Sequence, residues 1–349
     1  MHLLLIGDPH FRVDNISETQ KFIRSVVDVA KKLVDQNRLD HIVVLGDILH
    51  THEKLNTHAL NIACDFFEAI RKICHVFCLV GNHDATSNTI FLEDTHWMNA
   101  LKRWHNLTIV DVPAKISGAE VIMCPYVPDG RFIEALSLHF PQWKNSRLII
   151  GHQLLNGAKM GAITASNVEE WEADWPMCIS GHIHDKQLVK PNLFYTGSSM
   201  QHAFGESHDK TLCLIDTQTL QREEIELDIP KKKILYVDAD DVESLPEKIK
   251  NEVNVQYKIV VRGDAATCKA VKNSTVLKGL RTNKAIKSIQ LKEISAPVDN
   301  EKKNEKAPAG FHTALREIIA RRKDPFVESL LNHCLGMGDD LSDKPAFTV

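Results

Sequence analysis

Five short blocks carry the residue types from which a reactive centre can be built. They are Gly7-Asp8-Pro9-His10, Gly46-Asp47-Ile48-Leu49-His50, Gly81-Asn82-His83-Asp84, Gly151-His152 and Gly181-His182-Ile183-His184. Each directly follows an apolar run of strand length. In open α/β sheets, ligand groups gather beyond the carboxyl ends of strands, so five such tips can converge on one site. The glycine ahead of the polar residues in each block permits a tight turn and close backbone approach. Asp, Asn and His offer oxygen and imidazole nitrogen with no thiolate, a donor set for Mn, Fe or Zn rather than for a soft-ligand site. There are enough of them for two ions ~3.5–4 Å apart. Asp47, in a centrally placed block, is the candidate for a carboxylate shared by both ions. His182 and His184 are two residues apart and share a face of an extended segment; slight turning presents each to a different ion. Singly, each block is ordinary: Gly-Asp is commonly a turn, Gly-Asn-His-Asp suits a β-turn, and a lone His152 is more often a satisfied interior or surface residue. Five blocks in this order, all on strand ends, form the signal.

The elements that must position these blocks are legible in the periodicity. Strands are predicted at Leu3–Ile6, His41–Leu45, Val76–Val80, Thr108–Val110, Val121–Met123, Leu148–Ile150 and Cys178–Ile179. Between them, Glu18 to Gln36 and Thr57 to Lys72 show helical spacing of apolar residues. Strands interleaved with helices indicate a layered α/β domain over residues 1–230. The break at Asp228-Ile229-Pro230 leads into a compact βαβαβ pattern over 231–295, with helices at Val242–Lys250 and Ala265–Leu280. Residues 296–310 are polar with prolines at both ends and read as a linker. Helical spacing then resumes in a tail, 311–349.

Composition narrows the classes. The 349 residues are 43% hydrophobic and 25% charged, ordinary for a globular protein with a real core. No uncharged apolar run approaches the ~18 residues of a membrane span. The opening apolar run breaks at Gly7-Asp8 and has no basic residue before it, unlike a secretory leader. The eight cysteines include no CxxC pair, and several lie in apolar runs, which predicts reduced structural thiols in a cytoplasmic protein. The net charge of −4 is uneven: residues 231–290 carry thirteen Lys+Arg against seven Asp+Glu, and residues 1–230 carry twenty against twenty-nine. An acidic front followed by a basic module suits an enzyme that collects cations beside a surface for polyanions.

The five blocks together resemble the calcineurin-like metallophosphoesterase superfamily, with its pattern D-x-H, G-D, G-N-H-D/E, H and G-H-x-H over residues 1–184. The resemblance implies a two-sheet sandwich flanked by helices (αββα) and two divalent ions over one edge. It assigns Asp8, His10 and His184 to the first metal, Asp47 to both, and Asn82, His152 and His182 to the second. A metal-bound water with its pKa lowered towards ~7 would then be the nucleophile. His83, beside Asn82 but not itself a ligand in the family, would give the leaving oxygen its proton, with Asp84 orienting that imidazole.

Two further features narrow the resemblance to SbcD-type DNA repair nucleases. His50 follows Asp47 by three residues, where it would contact the scissile phosphate. The stretch Phe194-Tyr195-Thr196-Gly197-Ser198-Ser199 to Phe204-Gly205-Glu206 is similar to the Y-x-G-S…F-G-E of that group; physically it reads as a strand and bulge closing the sheet. The order of parts also agrees: nuclease domain, small α/β capping domain, linker, and helices that bind an SMC-like ATPase of the SbcC type. Pro9 and the absence of a Leu-Gly after His10 mark a divergent member. The expectation is a two-metal DNA exonuclease/endonuclease, most simply Mn²⁺-dependent with Mg²⁺ as the alternative ion. Lys231–Lys233, Lys269, Lys272, Lys278, Arg281, Lys284 and Lys287 of the cap would line DNA phosphates. Homodimerisation is left open. A small-molecule phosphodiesterase or phosphoprotein phosphatase is the alternative, because it would share every metal ligand.

Overall fold

A computed structural model describes residues 1–51, 54–249 and 254–294. The linker and the helical tail expected over 296–349 lie outside the described residues. In chain order the strands are β1 (His2–Ile6), β2 (His41–Val44), β3 (His75–Leu79), β4 (Leu107–Val110), β5 (Ala114–Lys115), β6 (Val121–Met123), β7 (Leu148–Gly151), β8 (Lys159–Met160) and β9 (Ile163–Thr164). They continue as β10 (Met177–Ser180), β11 (Gln187–Lys190), β12 (Leu193–Tyr195), β13 (Thr211–Asp216), β14 (Arg222–Glu226), β15 (Lys231–Asp238), β16 (Val255–Gly263) and β17 (Ile286–Glu293). The helices are α1 (Ile16–Asp35), α2 (Thr57–Ile70), α3 (Phe132–His139), α4 (Leu245–Ile249), α5 (Ala265–Lys272) and α6 (Thr275–Leu280). Among the described residues, no helix is long and apolar enough to cross a membrane.

Two six-stranded sheets face each other, in the orders β14-β13-β1-β2-β3-β4 and β11-β12-β10-β7-β6-β5. β1 to β4 are mutually parallel, and so are β6, β7, β10 and β12; antiparallel strands close the edges. Side-chain alternation explains why these strands read as unbroken apolar runs. Leu3, Leu5, Val43 and Leu45 point into the layer between the sheets, against Met123, Ile150 and Ile179. Their neighbours Leu4, Ile6, Ile42 and Val44 point the other way, onto Phe22 and Val26 of α1 and Phe66 and Phe67 of α2. The second sheet is covered outside by Phe132 of α3 with Trp143 and Trp171. A strand buried on both faces has no polar side to show. The fold is therefore the expected four-layer α/β sandwich, with both sheets sending their parallel strand ends towards one edge.

Every predicted strand of residues 1–180 is present. β13 and β14 were not expected. β13 pairs antiparallel with β1 and is itself apolar, whereas β14 at the sheet edge reads Arg-Glu-Glu-Ile-Glu and gives little hydrophobic signal. Residues 231–294 build a parallel sheet β15-β16-β17 with a core of their own around Val237, Leu245, Tyr257, Ile259 and Leu277. The single helix expected over Ala265–Leu280 is broken in two, because the Ser274 hydroxyl accepts from the Leu277 amide and starts a new helix there. The helix expected over Val242–Lys250 opens as a 3-10 turn, Ala239–Ser244, before α4. Lys232 does not face solvent as a phosphate contact would. It is buried with its ammonium 2.9 Å from Glu18 of α1 and donates to the carbonyls of Gln201 and His202. It joins the small sheet to the main body.

Phe66 is fully buried, edge-on to Phe11 with ring centroids 5.4 Å apart, and Phe11 immediately follows His10. Phe66→Ala should lower unfolding free energy by about 3–5 kcal/mol, read from the denaturant midpoint. A loss below about 1 kcal/mol would show that α2 does not anchor this loop.

Candidate metal centre

Each of the five blocks lies just past a strand end: β1, β2, β3, β7 and β10 in turn. The first two are zipped together beyond the sheet, where His10 N donates to Asp47 O at 2.9 Å and Phe11 N to Ile48 O at 2.7 Å. The turns are tight. Asp8, His10, Asp47 and His182 all have positive φ, of 36°, 43°, 52° and 77°. Non-glycine residues rarely adopt this backbone and hold it only where surroundings over-determine it. Gly81 has to be glycine for a different reason: a Cβ there would lie 2.2 Å from Asp47 Oδ1.

The side chains gather in two groups around Asp47. On one side, Asp47 Oδ2 is 3.4 Å from His10 Nε2, which is 3.0 Å from His184 Nε2. Asp8, His10 and Asp47 present their donor atoms within 4.8 Å of one another. On the other side, Asp47 Oδ1 is 3.3 Å from His152 Nε2. Asn82 Oδ1 lies 3.0 Å from that same nitrogen and 2.9 Å from His182 Nδ1. Asp47, His152 and His182 form a second compact set. All seven expected ligands thus meet, and the central carboxylate turns one oxygen to each group.

The electrostatics call for cations. Asp8 Oδ2 is buried and has no hydrogen-bond partner among the described residues. His152 Nδ1 is 2.7 Å from the Leu45 carbonyl, to which it donates, so a neutral His152 would aim its Nε2 lone pair at two oxygens. Burial pushes the Asp8 carboxyl up to about 6, reinforced by Asp47. Burial alone would lower His152; Asp47 and then Asp8 overcome it and push this imidazole up to about 9. His182 is lowered to about 3 by burial and by His152, which leaves it a neutral donor. Buried oxygens and lone pairs converging in this way fit two hard or borderline divalent ions.

Two expectations about the surroundings are corrected. Asp84 does not orient His83. Its carboxylate turns inwards and accepts from Gly81 N (3.1 Å), Ile48 N (3.1 Å) and Trp97 Nε1 (3.0 Å), clamping the second block to the third. The orienting group is the carbonyl of His50, to which His83 Nδ1 donates at 2.7 Å, while His83 N donates to Asp47 Oδ1 at 2.9 Å. No helix starts at Asp84 either, so it caps none. His50 stacks on His83 with interplanar angle 9°, and its Nδ1 is 3.4 Å from His10 Nδ1. Likewise, the stretch Phe194 to Glu206 is strand only as far as Tyr195. Beyond it the chain leaves the sheet and braces the first block: Ser199 exchanges hydrogen bonds with Gly7 in both directions, and His202 Nε2 donates to Asp8 O at 2.8 Å.

Sequence reasoning missed three residues of this brace. His202 is buried, with its ring 5.0 Å from His10 and 5.2 Å from His184. Glu206 Oε1 is 3.7 Å from His184 Nδ1, and its other oxygen accepts from His202 N. Lys210 donates to the His184 carbonyl at 2.7 Å. His202 and Glu206 stand inside the stretch already singled out, which was the available signal. A carboxylate behind a metal-binding imidazole fixes its tautomer and orientation.

Because Asp47 and then Asp8 push the His152 imidazole up to about 9, a metal ion held by its Nε2 at neutral pH would displace a proton. Affinity should therefore climb with pH, up to about tenfold per unit below pH 9. Calorimetric titration of Mn²⁺ in two buffers of different ionisation enthalpy should give different heats. Identical heats in both would show that His152 holds no proton to release.

Comparison with known proteins agrees with this geometry. Residues 1–186 match the model of the family described as calcineurin-like phosphoesterase. The chain is 43% identical over 288 residues to "Putative phosphoesterase 244L" of Invertebrate iridescent virus 6, covering 79% of this chain and 98% of that protein. It is 36% identical over 344 residues to "Putative phosphoesterase 078R" of Invertebrate iridescent virus 3, covering 96% of this chain and 97% of that protein. With five strand-end blocks meeting in two donor groups, the chain belongs to the calcineurin-like phosphoesterases, hydrolases of phosphoesters that use divalent metal ions.

Proposed function

We propose that this phosphoesterase is a two-metal DNA nuclease that hydrolyses phosphodiester bonds in DNA repair, recombination or replication, as the nuclease subunit of an SbcCD-like complex. The observation that carries the reading is His50. Its imidazole stacks on His83 beside His10 and extends the row of imidazoles outwards from the candidate metal ligands. A second imidazole in line with the proton donor is suited to hold a phosphodiester, whose single negative charge and two ester arms need positioning more than neutralising. The small sheet is attached close to the candidate centre, fastened through Lys232 to the same loop, Gln201-His202, that braces Asp8.

Asp8, His10, Asp47 and His184 would hold one ion, and Asp47, Asn82, His152 and His182 the other. Bound there, two divalent ions lower the pKa of water and offset charge on the phosphoryl oxygens. His83, pinned by its backbone on Asp47 and by Nδ1 on the His50 carbonyl, is the donor to the leaving oxygen. Asp84 and Trp97 keep the two loops that carry Asp47 and His83 in register. Mn²⁺ is the proposed ion. The SbcC-type ATPase is the proposed partner, bound through residues 311–335. The same donor set and the relatives' printed names favour a small-molecule phosphodiesterase or phosphoprotein phosphatase equally well, and substrate preference separates the two readings.

Turnover of labelled duplex and of bis-p-nitrophenyl phosphate with Mn²⁺ should both be seen; robust ester hydrolysis with intact DNA would select the alternative. His83→Leu should lower DNA cleavage by about 10²–10⁴-fold with metal content unchanged by elemental analysis. Persistent cleavage would remove His83 from the proton-donor role.

A further inference from the structure

The hairpin of β8 and β9 stands beside the candidate centre and is built in two contrasting halves. Its base belongs to the core. Leu155, Ala158 and Ala165 are buried, and Ala165 N donates to Ala158 O at 2.7 Å. Gln187 of β11 grips it by both ends of one amide, accepting from Lys159 N at 2.8 Å and donating to Lys159 O at 2.9 Å. Its tip is the reverse: Met160 is 41% and Ile163 44% exposed, on either side of Gly161. A cleft of about 310 Å³ joins Lys159 and Met160 to His182, His184 and Glu206.

We propose that this tip is a wedge for the terminal base pair of a DNA duplex. Met160 and Ile163 lie against the base faces, Lys159 takes a backbone phosphate, and the strand to be cut runs through the cleft to His182 and His184. The inference rests on the nuclease reading above and names its substrate as a duplex end. Two observations and one generalisation favour it. The cleft shares two imidazoles with the candidate centre, so its occupant is continuous with the reacting phosphate. Two aliphatic side chains held in water at the end of a rigidly based hairpin gain only when a ligand covers them. Nucleobases supply apolar faces next to phosphates, and Met and Ile recur as side chains that part base steps. A small phosphoester would fill the centre without covering the tip.

The test uses the full chain in EDTA with a duplex carrying 2-aminopurine at its terminal pair, whose fluorescence rises on unstacking. The wild-type protein should raise the signal, Met160→Ser/Ile163→Ser should bind the duplex without the rise, and Met160→Leu/Ile163→Val should restore it. With Mn²⁺, the serine variant should cleave flush ends about tenfold more slowly than ends already splayed by mismatches, relative to wild type. An equal rise and an unchanged ratio in the serine variant would overturn the wedge while leaving the nuclease reading intact. Hydrolysis of bis-p-nitrophenyl phosphate without any DNA binding by the wild type would overturn both.

Discussion

A carboxylate buried between two sets of imidazoles is the constraint on which the rest of the structure turns. Asp47 is nearly inaccessible, and its two oxygens face opposite groups of donors. Isolated, such a charge would be costly to bury, and the usual outcome is neutralisation of the group or pairing with cations. Here His152 and His10 hold Asp47 well below the ordinary carboxylate range despite its burial. The negative charge is retained where two cations would need it. Pairing between Asp47 and His152 thus keeps the centre coherent, and a divalent ion held there would take the place of the proton that the pair shares.

Holding Asp47 there imposes conditions outwards. The second block is bound to the first by a short parallel bridge, to the third by the Asp84 carboxylate, and to the fourth by the His152–Leu45 hydrogen bond. Four of the seven candidate ligands sit in left-handed backbone, a conformation that relaxes unless neighbouring groups hold it. The apolar layers on both sides of β1 and β2 supply the rigid base, and the loop from Ser198 to Glu206 supplies the brace from beneath. Strain concentrated at one strand edge and offset by packing elsewhere is the usual arrangement of a reactive site.

The residues behind the candidate ligands divide the work. Leu45 fixes the tautomer of His152, Glu206 and Lys210 position His184, and the His50 carbonyl positions His83. Each uses a group that a sequence pattern does not mark as chemical: two main-chain carbonyls, a lysine and a glutamate distant along the chain. The loop that carries His202 also accepts Lys232 from the small parallel sheet, so the first block and that sheet share one support.

The sequence by itself determined which Asp, Asn and His residues are the candidate ligands and the strand ends that carry them. Residue type fixes donor chemistry, and a strand buried on both faces announces itself as an apolar run ending in a glycine turn. It also determined the layering, through the helical spacing of α1 and α2 between β1, β2 and β3. Tertiary structure alone decided which way each second-row group faces. Asp84 stands one residue from His83 yet turns to the amides of Gly81, Ile48 and Leu49, because a buried carboxylate goes where unpaired N–H donors converge, and the last two lie 36 and 35 residues away in the chain. For the same reason β14, whose side chains face water at a sheet edge, gave no local signal, and nothing local marked that the His202 ring would turn to a main-chain oxygen of the first block. Their placement is set by long-range hydrogen bonding, which periodicity and spacing do not encode.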